Sequence, residues 1–154
     1  MAVTVARIVL APREKHVLEG LADGGTLAEV ALGLGIRPGT ASDYLRTAKR
    51  KLRGADEDAT ALAIAYATLA LDPPEPLELG ELYIPRQQRD LVPLAVAGMR
   101  AADMAVELRR PVDVVRRDVR GLTANLRARS PAHLVKRAWQ YRLVTAEQVL
   151  AWLR

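Results

Sequence analysis

Proline and glycine punctuate this chain twice in the same order, and between the marks there is room only for short helices. Residues 12–22 set Val17, Leu18 and Leu21 on one stripe and stop at Asp23-Gly24-Gly25. Apolar residues spaced three and four apart form the buried face of a helix. Thr26-Leu27-Ala28-Glu29 then has the form of a capping box, in which hydroxyl and carboxylate each satisfy an amide at the helix start. Gly33-Leu34-Gly35 closes that second helix, and Pro38, placed where a first turn tolerates proline, opens a third over residues 38–52. An Ala-rich fourth helix over residues 58–71 carries Leu62, Ala65, Tyr66 and Leu69 on one face. Asp72-Pro73-Pro74-Glu75-Pro76 ends it, because prolines lack the amide donor and push the preceding residue out of helical geometry.

The order then recurs. Residues 85–97, 101–108, 111–127 and 131–141 are predicted as four more helices. Pro12 aligns with Pro85 at an offset of 73, while Ala31 aligns with Ala105 and Leu52 with Leu126 at 74, so one residue is gained around the first turn. A duplicated four-helix unit accounts for the recurrence. The expected architecture is all-α: a unit over 1–71, a Pro-rich linker over 72–82, and a second unit over 83–154 with an extra C-terminal helix. That last helix starts at a further capping box, Thr145-Ala146-Glu147-Gln148, and bears Val149, Leu150, Trp152 and Leu153. An apolar stripe so dense must be covered. Two covers are open to it, the second unit near Trp139 or the same helix of another copy, and the second makes a homodimer.

Composition supports helices and narrows the partners. The chain has no Phe and 4% aromatic residues, so its core must be built from Leu, Val, Ile and Ala in closely packed helices. The net charge of +5 is uneven: residues 1–70 hold nine Lys/Arg against eight Asp/Glu, whereas residues 81–154 hold 14 against seven. A basic second half points to an acidic partner, double-stranded DNA first among them. Zero cysteine excludes disulfides, thiolate nucleophiles and Cys-ligated zinc. No run of residues has the length of a membrane span, and the apolar start, residues 1–10, is too short for a secretion signal, which makes the expected location cytoplasmic with no membrane partner. His16 and His133 stand alone, without the spacing of a metal or catalytic site, no carboxylate pair is arranged for acid–base work, and no motif asks for a cofactor. The expectation is therefore a binding protein, not an enzyme.

At the residues quoted above, the chain resembles the LuxR/GerE family of bacterial DNA-binding domains. The likeness is strong over about residues 9–70 and weaker over about 83–144. In that family the opening helix begins Leu-Thr-Pro-Arg-Glu, which Leu10-Ala11-Pro12-Arg13-Glu14 follows except at the capping threonine. Glu29-Val30-Ala31 matches its Glu-Ile-Ala scaffold helix, Ile36-Arg37-Pro38-Gly39-Thr40-Ala41 its turn and recognition start, and Arg50-Lys51-Leu52 its Arg-Lys-Leu finish. Sigma-factor region four shares much of this pattern, but the helix after Gly54, similar to the LuxR dimerisation helix, favours the former. The resemblance implies helix-turn-helix modules whose third helix enters the major groove. It assigns Thr40 to a phosphate, Ser42 and Tyr44 to the groove side, and Arg46, Lys49 and Arg50 to the DNA backbone. Asp43 departs from the family and repels phosphate unless it accepts from a cytosine amino group or pairs with Arg46.

The second unit departs further. Ile84 stands at its cap position, Gln87 replaces the glutamate, and Arg109-Arg110-Pro111 replaces the glycine turn, so the backbone freedom of Gly35 is missing. Its third helix nevertheless presents Arg116, Arg117 and Arg120, with Arg127 following, as DNA contacts. Trp139, Tyr141 and Trp152 read as packing residues instead of a platform for bases. These features imply a transcription regulator built from two tandem LuxR-like modules, homodimerising through its fourth or C-terminal helix. The alternative is a helix-turn-helix-derived adaptor whose second unit docks a protein partner through those same apolar helices.

Overall fold

The computed structural model describes residues 7–78, 80 and 82–153. Residues 1–6 of the apolar start, residues 79 and 81 of the linker span, and Arg154 of the C-terminal segment lie outside the described residues. Every regular element among the described residues is a helix, so the fold is all-α. The first half holds α1 (Pro12–Ala22), α2 (Leu27–Leu34), α3 (Pro38–Lys51) and α4 (Asp58–Ala67). The second holds α5 (Arg86–Arg89), α6 (Val92–Val96), α7 (Ala101–Leu108), α8 (Val112–Asn125), α9 (Pro131–Gln140) and α10 (Ala146–Leu150), which tightens into a 3₁₀ turn over Ala151–Leu153.

Local chemistry explains where these helices start. Thr26 and Glu29 close the predicted capping box reciprocally, and Thr145 and Gln148 do the same at α10. At α1 only half of a box survives: Glu14 accepts the Ala11 N–H at 2.9 Å, while alanine has no oxygen to return the bond.

Two helices end or break where the sequence pattern did not place it. Residues 58–71 do not form one helix up to the prolines; α4 stops at Ala67. Thr68 turns its hydroxyl onto the Ile64 carbonyl at 2.7 Å and Leu69 enters the left-handed region at φ 62°, so Leu69 is 71% exposed and off the buried face. Residues 85–97 form two short helices instead of one, separated at Asp90 and Leu91. The cause is Pro93, which has no amide and whose ring opposes the carbonyl of Arg89 one turn earlier.

The two halves carry the same features at a fixed offset of 74, from Leu10/Ile84 through Arg53/Arg127. Ala11 and Pro85 are both N-caps, Glu14 and Gln88 both stand three residues into their helices, and Thr26 and Arg100 cap the second helices. The core pairs Val17/Leu91, Leu18/Val92, Ala48/Leu122 and Leu52/Leu126 are all buried. Beyond Arg127 the offset drops to 73, with N-caps Glu57 and Ser130 and left-handed residues Leu69 and Arg142. This corrects the expected register. No residue is gained around the first turn; the second half is one residue shorter between its third and fourth helices. Pro12 and Pro85 misled the alignment because one is the first helical residue and the other the cap, and the counterparts of Leu10 and Glu14 are therefore Ile84 and Gln88.

The halves meet through their fourth helices. α4 packs along α9, α1 also packs on α9, and α6 on α4. Tyr66 and Trp139 face each other across this seam with ring centroids 5.4 Å apart at 54°. Apolar residues of both halves form one contiguous core, in which α4 is buried from Ala61 to Ala67. The C-terminal helix folds back onto α4 of the first half, with Val149 fully buried, Trp139 beside its start and Trp152 still exposed. On the other side, the Leu77 N–H of the proline segment donates to the Gln140 carbonyl at 2.8 Å. The fourth helices of both halves thus pack on each other within the chain.

Two consequences can be measured. Gly35 caps α2 in the left-handed conformation at φ 69°, and Arg109 takes the same conformation at φ 54° after α7, despite the missing glycine. A side chain there costs roughly 1–2 kcal/mol, part of which glycine gives back as unfolded-chain entropy. Arg109→Gly should therefore raise stability by about 0.5–1 kcal/mol, a few degrees in a thermal melt; a lower Tm would overturn the account. The second consequence concerns His133, whose Nδ1 accepts the Arg129 N–H at 3.0 Å. Burial first, then the neighbouring Arg137 and Arg129, holds its imidazole below the ordinary value of 6.5. The unfolded chain therefore takes up the proton sooner, and the stability His133 contributes is full above pH 6.5 and is lost as pH falls. Melting curves between pH 8 and 5 should show a fall in Tm that is shallower in His133→Gln.

Candidate nucleic-acid interface

Each half joins its second and third helices by a three-residue turn. In the first, Gly35 and Ile36 donate to the Leu32 and Ala31 carbonyls at 3.2 and 3.0 Å; in the second, Arg109 and Arg110 donate to Val106 and Ala105 at 3.3 and 3.0 Å. The turn is the same, with a left-handed first residue that ends one helix and an extended last residue, Arg37 or Pro111, that starts the next. Each third helix is also pinned at its far end. Glu14, only 5% exposed in its side chain, receives Lys51 Nζ at 2.8 Å; at the equivalent positions Asn125 donates to Gln88 at 2.7 Å. An ion pair has become a pair of neutral amides, but the tie between first and third helix is kept.

With the turn and the far end held, burial decides which face of the third helix is free. Ala41, Leu45 and Ala48 anchor α3; Val115, Asp118 and Leu122 anchor α8. The residues expected to meet DNA in α3 fall on different footings. Thr40, Arg46 and Arg50 are exposed, and Ser42 and Tyr44 are half-buried at the edge of the packed face. Arg46 bonds to Asp43 at 3.0 Å, an exposed pair that neutralises the unfavourable carboxylate locally. Lys49 points elsewhere. Its ammonium lies 2.7 Å from Asp58 and donates to the Asp56 carbonyl at 3.1 Å, tying α3 to the loop before α4. The basic ending of the helix suggested a grip on the DNA backbone; the structure gives Lys49 an internal partner because the chain turns back at Gly54, φ 68°, and brings Asp56 and Asp58 beside it.

α8 offers a stronger positive face. Arg116, Arg117 and Arg120 are all exposed, and they occupy the positions of Ser42, Asp43 and Arg46 in α3. Arg116 lies 3.6 Å from Asp113, and Arg117 3.8 Å from Asp118. Arg127 is exposed just past the helix, in the left-handed conformation that Arg53 also adopts. Sequence reasoning missed Asp118, which is 7% exposed and stands where α3 has Tyr44; its spacing of three from Val115 and four from Leu122 puts it on the inward stripe of α8. It also missed Arg110, which bonds to Asp90 at 2.7 Å and to the Gln87 carbonyl at 3.1 Å and so pins the second turn to α5. No group of three or more His, Cys, Asp and Glu suited to a metal ion occurs among the described residues. Set against protein-family models, curated proteins and solved structures, the chain matches none of them.

The two basic residues at the end of α3 should separate cleanly. Lys49→Ala removes an ion pair and a carbonyl partner and should lower stability by up to about 1 kcal/mol, whereas Arg50→Ala should leave the melting temperature unchanged. Equal thermal effects from the two would contradict the assigned partners.

Proposed function

We propose that the protein is a transcription regulator that binds double-stranded DNA through α3 and α8. The reading rests on the LuxR-like pattern of the sequence and on one observation above all: two helices at equivalent positions, held by the same turn and the same far-end tie, leave their outer faces to solvent, and on α8 that face bears Arg116, Arg117 and Arg120. In this reading Thr40, Arg46, Arg50 and Arg127 meet phosphates, while Ser42, Tyr44, Arg116 and Arg117 face bases. Phosphate contacts place the protein and base contacts choose the sequence. Arg120 adds a further positive charge one turn along. The protein acts in the cytoplasm, and no helix among the described residues is long and apolar enough to cross a membrane.

The adaptor reading, in which the second half docks a protein through its apolar helices, is less well supported. α9 and α10 both pack on α4, so little of their apolar faces is left for a partner, although Tyr83, Val106 and Trp152 remain exposed.

Fluorescence-anisotropy titrations over a range of salt concentrations test the proposal. Every side chain that ceases to neutralise a phosphate should reduce the slope of log affinity against log salt by about 0.9. Replacing Arg116, Arg117 and Arg120 by alanine together should weaken binding to the preferred sequence at least tenfold, whereas replacing the phosphate-facing Arg46, Arg50 and Arg127 should flatten that slope on any duplex. An affinity for the preferred sequence that is unchanged by the α8 substitutions would remove α8 from the interface.

A further inference from the structure

The contacts between the halves are reciprocal. α1 of the first half packs on α9, and its counterpart α6 packs on α4. Gly24, at φ 93°, leaves no room for a Cβ, which would sit 2.8 Å from His133 Nδ1; Gly98, at φ 83°, is crowded in the same way by Thr60, whose hydroxyl donates to the Ala97 carbonyl at 2.8 Å. Gly24 and Gly98 are equivalent at the offset of 74, and Thr60 and His133 at 73. Residue i of one half therefore meets residue j of the other, and j of the first meets i of the second. Such exchange is the mark of a two-fold relation; a tandem repeat stacked by translation makes each contact in one direction only. Tyr66 and Trp139 complete the case. They too are equivalent at 73, and they touch each other. A position meets its own counterpart only on the axis that relates them.

From this we infer that the chain is a two-fold reader folded from one polypeptide, and that its target is a single inverted repeat with unequal arms, bound by one chain. The inference rests on the DNA-binding reading above. A two-fold axis between α4 and α9 carries α3 onto α8 and sets both at the same height along the axis. The backbone of duplex DNA has two-folds perpendicular to its length, so a body of this symmetry matches an inverted repeat, as two-fold dimers do. A translated pair of readers matches a direct repeat instead. The arms differ because the equivalent positions differ: Ser42 and Asp43 in α3 are Arg116 and Arg117 in α8. Arginine pairs with the O6 and N7 of guanine through two hydrogen bonds, and aspartate accepts from the amino group of cytosine. The α8 arm is therefore richer in guanine on the strand that its arginines face.

Selection of the full chain on a random duplex library, followed by mass photometry of the selected complex, tests this. The expected motif is an inverted repeat with dissimilar arms, holding one chain per duplex. Rebuilding the same two arms as a direct repeat should weaken binding at least tenfold. The double variant Ser42→Arg with Asp43→Arg, one substitution at the edge of the packed face and one on the exposed side of α3, should make the selected arms more alike. A direct repeat, a lone half-site, two chains on one symmetric palindrome, or arms unchanged by the double variant would each overturn the two-fold inference while leaving DNA binding intact. If no duplex is enriched and binding does not depend on salt, the DNA-binding reading itself falls.

Discussion

The seam between α4 and α9 is the contact on which the rest of the molecule depends. Neither half has a large core: with no Phe, each must be built from small and branched aliphatic side chains, and α4 alone contributes five alanines to the buried set. Helices this short are marginal by themselves and acquire stability by burying a face against a neighbour. Pairing the fourth helices merges two small cores into one. Alanines let the helices approach, and the Tyr66–Trp139 contact fills the centre of the seam with the largest side chains available. Burial against the aliphatic core raises the Tyr66 hydroxyl well above its ordinary range, with Asp23 and Glu19 adding to the effect.

Everything at the candidate interface is held from behind. The core fixes α1 and its counterpart pair α5 and α6; the Glu14–Lys51 and Gln88–Asn125 ties fix the ends of α3 and α8. The turns at Gly35 and Arg109 fix their beginnings. The outer faces are then free of structural duty: buried pairs such as Val17/Leu91, Leu18/Val92 and Leu52/Leu126 stay aliphatic, while exposed Asp43 and Arg117 carry opposite charge. Packing keeps these positions apolar and leaves composition open outside them.

Much of this was legible in the amino-acid order. The caps at Thr26 and Thr145, the starts at Pro12 and Pro38, and the apolar stripes follow local rules that act within one or two turns, and those elements stand where periodicity puts them. Misplaced features depended on contacts far along the chain or on competing local effects. Leu69 fits the helical stripe but lies beyond a turn closed by Thr68. Lys49 fits a basic helix end, yet Asp58, nine positions on, claims it because the intervening turn folds back. The destination of α10 is the plainest case. An apolar stripe announces that it will be buried, but nothing local says against what, and α4 lies some eighty residues away.

A seam that closes within one polypeptide has a consequence for mass action. Two separate copies joined by the same surface come together with a probability that falls as the square of their concentration, and they part on dilution. Here the Leu77–Gln140 bond and the return of α10 to α4 keep the halves together at any concentration, and their pairing is part of folding. Pairing of the halves therefore carries no concentration threshold, and the midpoint of unfolding should not move with the amount of protein present.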